Sequence, residues 1–367
     1  GSSGYTAKPG WATQKFAVAA ANPLATDAGY QVLKAGGSAV DAAIAVQMVL
    51  TLVEPQSSGI GGGAFLMHYN GKDVEAFDGR ETAPAAADEK LFIGADGKPM
   101  QFYDAVVGGR SVGTPGTLRV LELAHQQYGK LPWAALFQPA ISLAENGFKV
   151  SVRLNTQIQT EQHLKKDPTA AAYFYQPDGN AVAVGSTLRN PELAAVLKRI
   201  AAEGPKALHE GDIAQAIVQK VQSHPTNPGK LSLADLAHYK AVKRSALCTD
   251  YRAQQRDYRL CGFPPPSSGA IAIGQILGML NHTNAAQLPL ESYAGGAVPG
   301  AVPGAQWLHL YTEASRLAFA DRAQYLGDPD FVQPPAGSWM SLLDPAYLAE
   351  RSKLISQEPG GVSMKVA

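Results

Sequence analysis

Arg80, within Phe77-Asp78-Gly79-Arg80-Glu81-Thr82-Ala83-Pro84, stands one hairpin downstream of the glycine run Gly59-Ile60-Gly61-Gly62-Gly63. A planar guanidinium offers two parallel N–H donors to a carboxylate, and glycines leave main-chain amides uncovered. Together they could hold a small organic anion. Asn70-Gly71, between the apolar-rich stretches 65–69 and 73–77, is a two-residue hairpin signal. Pairing Tyr69 with Lys72 would set Arg80 opposite Gly61, whose missing side chain leaves room for the ligand. The plainer alternative is a surface arginine beside a tight turn.

Other motifs carry less chemistry. Gly59-Ile60-Gly61-Gly62-Gly63-Ala64 fits the spacing of a dinucleotide fingerprint, but that site needs a strand before the glycines and a helix after them. Here a helical pattern precedes and a hairpin follows. Gly109-Arg110-Ser111-Val112-Gly113 has the spacing of a nucleophile elbow, yet the next helix signal, Thr114-Pro115, comes several residues too late to make Ser111 a nucleophile. No two of the eight histidines share one helical face at metal-ligand spacing. Asp328-Pro329-Asp330 reads as a rigid turn ending a helix. What remains is an anion-holding arginine without a nucleophile or base. That combination belongs to a binding protein, or to half of an enzyme whose reacting group lies on another polypeptide.

The 367 residues are 46% hydrophobic and 17% charged, enough for a large core and for two ordinary domains, although no linker between domains is visible. Lys plus Arg and Asp plus Glu both number 31, so no overall field draws nucleic acid or anionic lipid. The longest apolar stretch, residues 39–53, contains Asp41 and Gln47 and is shorter than the ~20 residues a membrane span needs. The start, Gly1-Ser2-Ser3-Gly4, reads as a processed terminus or a cloning scar. Cys248 and Cys261 flank a polar, tyrosine-rich segment with the character of a surface hairpin. They are either a cross-strand disulfide, suited to an oxidising compartment, or two buried thiols.

Capping signals predict helices over 22–34, 39–53, 114–128, 133–144, 190–203, 211–222, 232–238, 270–280 and 308–326. Strands are expected at 16–20, in the first hairpin, at 181–184 and around the two cysteines, giving a mixed, helix-rich α/β chain. Pro264-Pro265-Pro266-Ser267-Ser268-Gly269 reads as a stiff lead into a helix, and the doubled tetrapeptide over 297–304 as a flexible surface insertion.

Several segments, in this order along the chain, resemble the large subunit of γ-glutamyltranspeptidase, in the N-terminal-nucleophile hydrolase superfamily. They are residues 25–43 with Gly36-Gly37-Ser38-Ala39-Val40-Asp41; Glu54-Pro55-Gln56-Ser57-Ser58-Gly59-Ile60-Gly61-Gly62-Gly63; Arg80-Glu81-Thr82-Ala83-Pro84; and Gly113-Thr114-Pro115-Gly116-Thr117. Asp235-Leu236-Ala237-His238-Tyr239, the segment 264–269 and Ala320-Asp321-Arg322 through Phe331 continue the series.

The resemblance implies a four-layer αββα sandwich completed by a separate small subunit, with 1–367 forming a single large-subunit domain. It implies a precursor that cuts itself before a threonine, which then attacks γ-glutamyl amides such as glutathione and glutamine and passes the acyl group to water or to amino-acid or peptide acceptors. Neither cofactor nor metal is expected, and the location implied is periplasmic or extracellular. Carried over by position, Arg80 matches the arginine that grips the substrate α-carboxylate. The last threonine is Thr312, inside a predicted helix, and Thr-Thr-His is absent, so the nucleophile is expected on the partner. The tail after Tyr347 is shorter than the family's lead into the cleavage point. Two rivals stand beside this reading: a cephalosporin or glutaryl acylase of the same superfamily, and a catalytically inactive binder of γ-glutamyl peptides.

Overall fold

Asn22 opens α1 (Pro23–Lys34): its side chain accepts the Leu24 amide at 3.0 Å, and Pro23 occupies the first turn, where a missing N–H costs nothing. Ser38 and Asp41 close a reciprocal capping box on α2 (Ala39–Val53). That helix is apolar on nearly every side and buried accordingly, with Ile44, Ala45, Met48 and Val49 fully enclosed. Asp41 is buried too, and its Oδ2 also accepts the Lys130 and Leu131 amides, tying the helix start to a distant loop.

The computed structural model describes residues 12–253, 255–293 and 300–356. These fall into two units, one of Thr13–Leu66 and Phe77–Val242, the other of Met67–Ala76 and the residues from Lys243 onward. β1 (Ala64–Tyr69) and β2 (Val74–Gly79) form the first hairpin, on which the chain passes from one unit to the other and back.

The rest of the first unit is mostly helical. After α3 (Phe102–Val106) come α4 (Thr117–Tyr128), α5 (Gln138–Asn146), α6 (Val152–Thr160), α7 (Pro168–Phe174), α8 (Pro191–Glu203), α9 (Lys206–His209), α10 (Gly211–Gln222) and α11 (Leu233–His238). Its main core gathers Phe77, Leu118, Phe137, Leu154 and Leu197 around α2. Between α5 and α8, β3 (Phe148–Lys149) pairs antiparallel with β4 (Thr187–Leu188).

In the second unit β5 (Val242–Ser245) extends the first hairpin into a sheet of order β1-β2-β5. β6 (Leu247–Ala253) and β7 (Arg256–Gly262) form a long hairpin in which Cys248 and Cys261 face each other and are joined by a disulfide, so the thiol alternative falls. Next come α12 (Gly269–Leu280), β8 (Leu290–Tyr293), β9 (Gly300–Pro303), α13 (Ala305–Tyr325) and α14 (Pro345–Ser352), the three helices packing around Met279, Leu310, Ala314 and Leu317. The result is a mixed, helix-rich α/β chain with small sheets.

Tertiary contacts move several predicted boundaries. The helix expected from Thr114 begins at Thr117, because Thr114 and Thr82 exchange backbone hydrogen bonds at 2.8 and 3.3 Å. The helix expected over 133–144 is a 3₁₀ turn, Trp133–Phe137, followed by α5, since Pro139 has no N–H to continue the ladder. Residues 16–20 are not assigned to a strand, and Ala181 makes only an isolated bridge to Tyr175. Of the doubled tetrapeptide, Gly300–Pro303 is a strand paired with Leu290–Tyr293, while 297–299 lie outside the described residues.

Candidate functional site

The hairpin that leads to Arg80 turns one residue later than the sequence suggests, which shifts the strand register by two. Asn70 Oδ1 accepts the amides of Lys72 and Asp73 at 2.9 and 2.8 Å, and the Asn70 amide donates to Asp73 O at 3.2 Å. Gly71, at φ +99°, therefore sits inside the loop with Lys72. This register brings Gly63, not Gly61, against Arg80. A Cβ on Gly63 would stand 2.7 Å from both Gly79 O and the Glu81 amide, so the close approach requires glycine.

Both backbone groups of Arg80 are held. The Arg80 amide donates to Asp78 Oδ1 at 2.9 Å, and Arg80 O accepts the Tyr239 hydroxyl at 2.8 Å. Glu81 Oε1 accepts the Gly63 amide at 2.7 Å. Gly62 O accepts the amides of Gly116 and Thr117 at 2.9 and 3.1 Å, which uses the first free donors of α4. Beneath, Glu54 is buried at the end of α2, where Asn22, Gln56 and Arg153 serve its carboxylate, pinning the start of the glycine run.

The guanidinium itself is different. Arg80 is exposed and makes no side-chain hydrogen bond or ion pair among the described residues. The amides of Gly59, Ile60 and Gly61 likewise donate to nothing among the described residues, and the space over Gly61 is open. A backbone held at Arg80 thus presents an uncommitted guanidinium, and the glycine run one strand away carries uncommitted N–H groups of its own. This arrangement can hold a carboxylate and supplies no nucleophile.

Two supports carry shifted titrations. Burial pushes the Asp235 pKa up, but the Ala85 amide at 2.9 Å and the two Ser232 donors outweigh it, leaving the group below the usual carboxylate value. Burial holds His209 below the usual histidine range, although its Nδ1 bonds Leu236 O at 2.8 Å.

The other candidates separate from this centre. Ser111 Oγ donates to Val106 O at 2.9 Å, a local bond that leaves no triad geometry among the described residues. Asp328 Oδ1 accepts the Asp330 amide, as a turn requires. A cavity of about 1300 Å³ in the first unit is lined by Tyr103, Arg110, His163, His224 and Asn227 among others, and Arg80 is not among them. The sequence reading missed Asp78, Glu81 and Tyr239 as the holders of Arg80, although two of them flank it. A third, Tyr239, could have been suspected only as the aromatic end of Asp235-Leu236-Ala237-His238-Tyr239.

Comparison with known proteins bears on this geometry. A family model described as gamma-glutamyltranspeptidase matches residues 25–363. The glutathione hydrolase proenzyme of Bacillus subtilis is 38% identical over 341 residues, 92% of this chain and 54% of that protein. The acylase ACY 1 proenzyme of Pseudomonas sp. (strain V22) is 38% identical over 347 residues, 92% of this chain and 58% of that protein. The crystal structure of Helicobacter pylori gamma-glutamyltranspeptidase matches with a TM-score of 0.84 at 30% identity, covering 96% of this chain and 95% of that one. The chain thus spans about half the length of the curated relatives it matches, and it belongs to the gamma-glutamyltranspeptidase family.

Proposed function

We propose that residues 1–367 act as the large-subunit domain of a γ-glutamyltransferase and hydrolase in which Arg80 holds the substrate α-carboxylate. The partner is a small subunit cut from the same precursor, with an N-terminal threonine as nucleophile. Its α-amino group takes the hydroxyl proton as the oxygen attacks the γ-carbonyl carbon, and the leaving amine departs with that proton. The resulting ester is released to water, or to the amine of an amino acid or peptide. Glutathione and glutamine are the expected donors. No cofactor enters the scheme.

The observation that carries this reading is the uncommitted Arg80 guanidinium on a backbone held at both ends. Two facts accompany it. The relatives are named proenzymes and are nearly twice as long, while the solved Helicobacter pylori chain is spanned over 95% of its length. The Cys248–Cys261 disulfide suits an oxidising location, periplasmic or extracellular.

The acylase relative, as identical as the glutathione hydrolase, gives the second reading weight. A glutaryl substrate, the kind expected on that second reading, keeps a carboxylate but lacks the α-amino group. Expressed as the full precursor, the protein is expected to yield a second chain beginning with threonine and to cleave γ-glutamyl anilide well above glutaryl anilide. The reverse preference would select the acylase, and turnover of neither with no second chain would leave an inactive binder.

A further inference from the structure

We infer that α11 and Tyr239 form a bracket whose work is to aim Arg80, which makes Tyr239 a positioning residue for donor binding; this rests on the reading of Arg80 as the carboxylate holder. The bracket grips one short segment at two points. At one end the Tyr239 hydroxyl donates to Arg80 O at 2.8 Å; at the other Asp235 Oδ1 accepts the Ala85 amide at 2.9 Å.

The bracket is itself rigid. Ser232 and Asp235 close a capping box at the start of α11, and the buried His209 ring bonds Leu236 O from below. Tyr239 is only 8% exposed. Space for its hydroxyl exists because position 116 is glycine: a Cβ there would lie 2.1 Å from the Tyr239 oxygen and 2.2 Å from Gly79 O. A guanidinium on a long side chain is aimed through its backbone, so a carbonyl fixed at that residue narrows where the fork can point.

Tyr239→Phe removes one hydroxyl and little else. In the processed two-chain enzyme it is expected to raise donor KM five- to tenfold with kcat within twofold, the pattern of lost ground-state positioning. Added to Arg80→Ala, it should change KM no further, because the group it aims is gone. An unchanged KM in Tyr239→Phe, or effects that multiply in full in the double variant, would overturn the bracket. Should Arg80→Ala alone leave KM unmoved, the carboxylate reading fails and the bracket with it, an outcome visible in that arm by itself. If Tyr239→Phe does not fold, Asp235→Ala frees the other end and is expected to raise donor KM in the same way; no rise there would equally refute the proposal.

Discussion

Arg351 and Arg80 carry the same guanidinium in different surroundings. Arg351 is half-enclosed on α14, where its Nη2 donates to Asp321 Oδ1 at 2.7 Å and to Leu317 O. Asp321 is buried, and its other oxygen accepts Gln275 Nε2 and the Tyr347 hydroxyl, both at 2.8 Å. Burial and that bond push the Tyr347 pKa up to about 12. Around Arg80 the pattern inverts: the backbone is bonded on both sides and the charge is left over. A cation answered by an internal carboxylate serves the fold, whereas one whose supports stop at its backbone is available to a ligand.

The sharpest way to break this contrast is to remove each charge in turn. Arg351→Ala strands the buried Asp321 carboxylate and should cost ~3–5 kcal/mol of stability, read by denaturant unfolding. A loss below about 1 kcal/mol would remove Asp321 from the structural side of the comparison. Arg80→Ala should leave the melting temperature within about a degree and lower kcat/KM for a γ-glutamyl donor by ~2–5 kcal/mol, tens- to thousands-fold. A change under about threefold ends the assignment.

A covalent tie sharpens the same distinction. Cys248 and Cys261, 13 residues apart on β6 and β7, close a loop worth ~3 kcal/mol in the chain-entropy view. Replacing both by Ser should lower stability by up to that amount and leave donor KM unchanged. The smallest effect is a pH dependence. Burial holds His209 neutral, so protonation favours the unfolded chain: its contribution is present above the ordinary histidine value of 6.5 and is lost as pH falls below it. Melting curves between pH 7.5 and 5.5 should fall less steeply in His209→Gln than in the parent, and equal slopes would take His209 out of the support beneath α11.

Much of the helical framework was legible because it rests on local chemistry. Caps at Asn22, Ser38 and Ser232 and prolines at first turns mark helix starts that do not depend on distant residues. Where the reading slipped, a specific hydrogen bond intervened, remote in sequence at Thr114 and local at Asn70. Thr82 holds Thr114 out of α4, and Asn70 carries its own side-chain bonds into the hairpin and moves the register by two. Residues 16–20 have the composition of a strand, but a strand exists only beside a partner strand.

The candidate site divides along the same line. Residue types drew attention to Arg80 beside glycines, since no other side chain offers a planar fork and no other residue leaves its amides bare, but a plain surface arginine stayed open until the family resemblance matched its position. Which glycine faces it, and that Tyr239, some 159 positions away, holds its carbonyl, follow from packing alone. A hydrogen bond acts over about 3 Å of space, and distance along the chain says nothing of that until the fold has closed it.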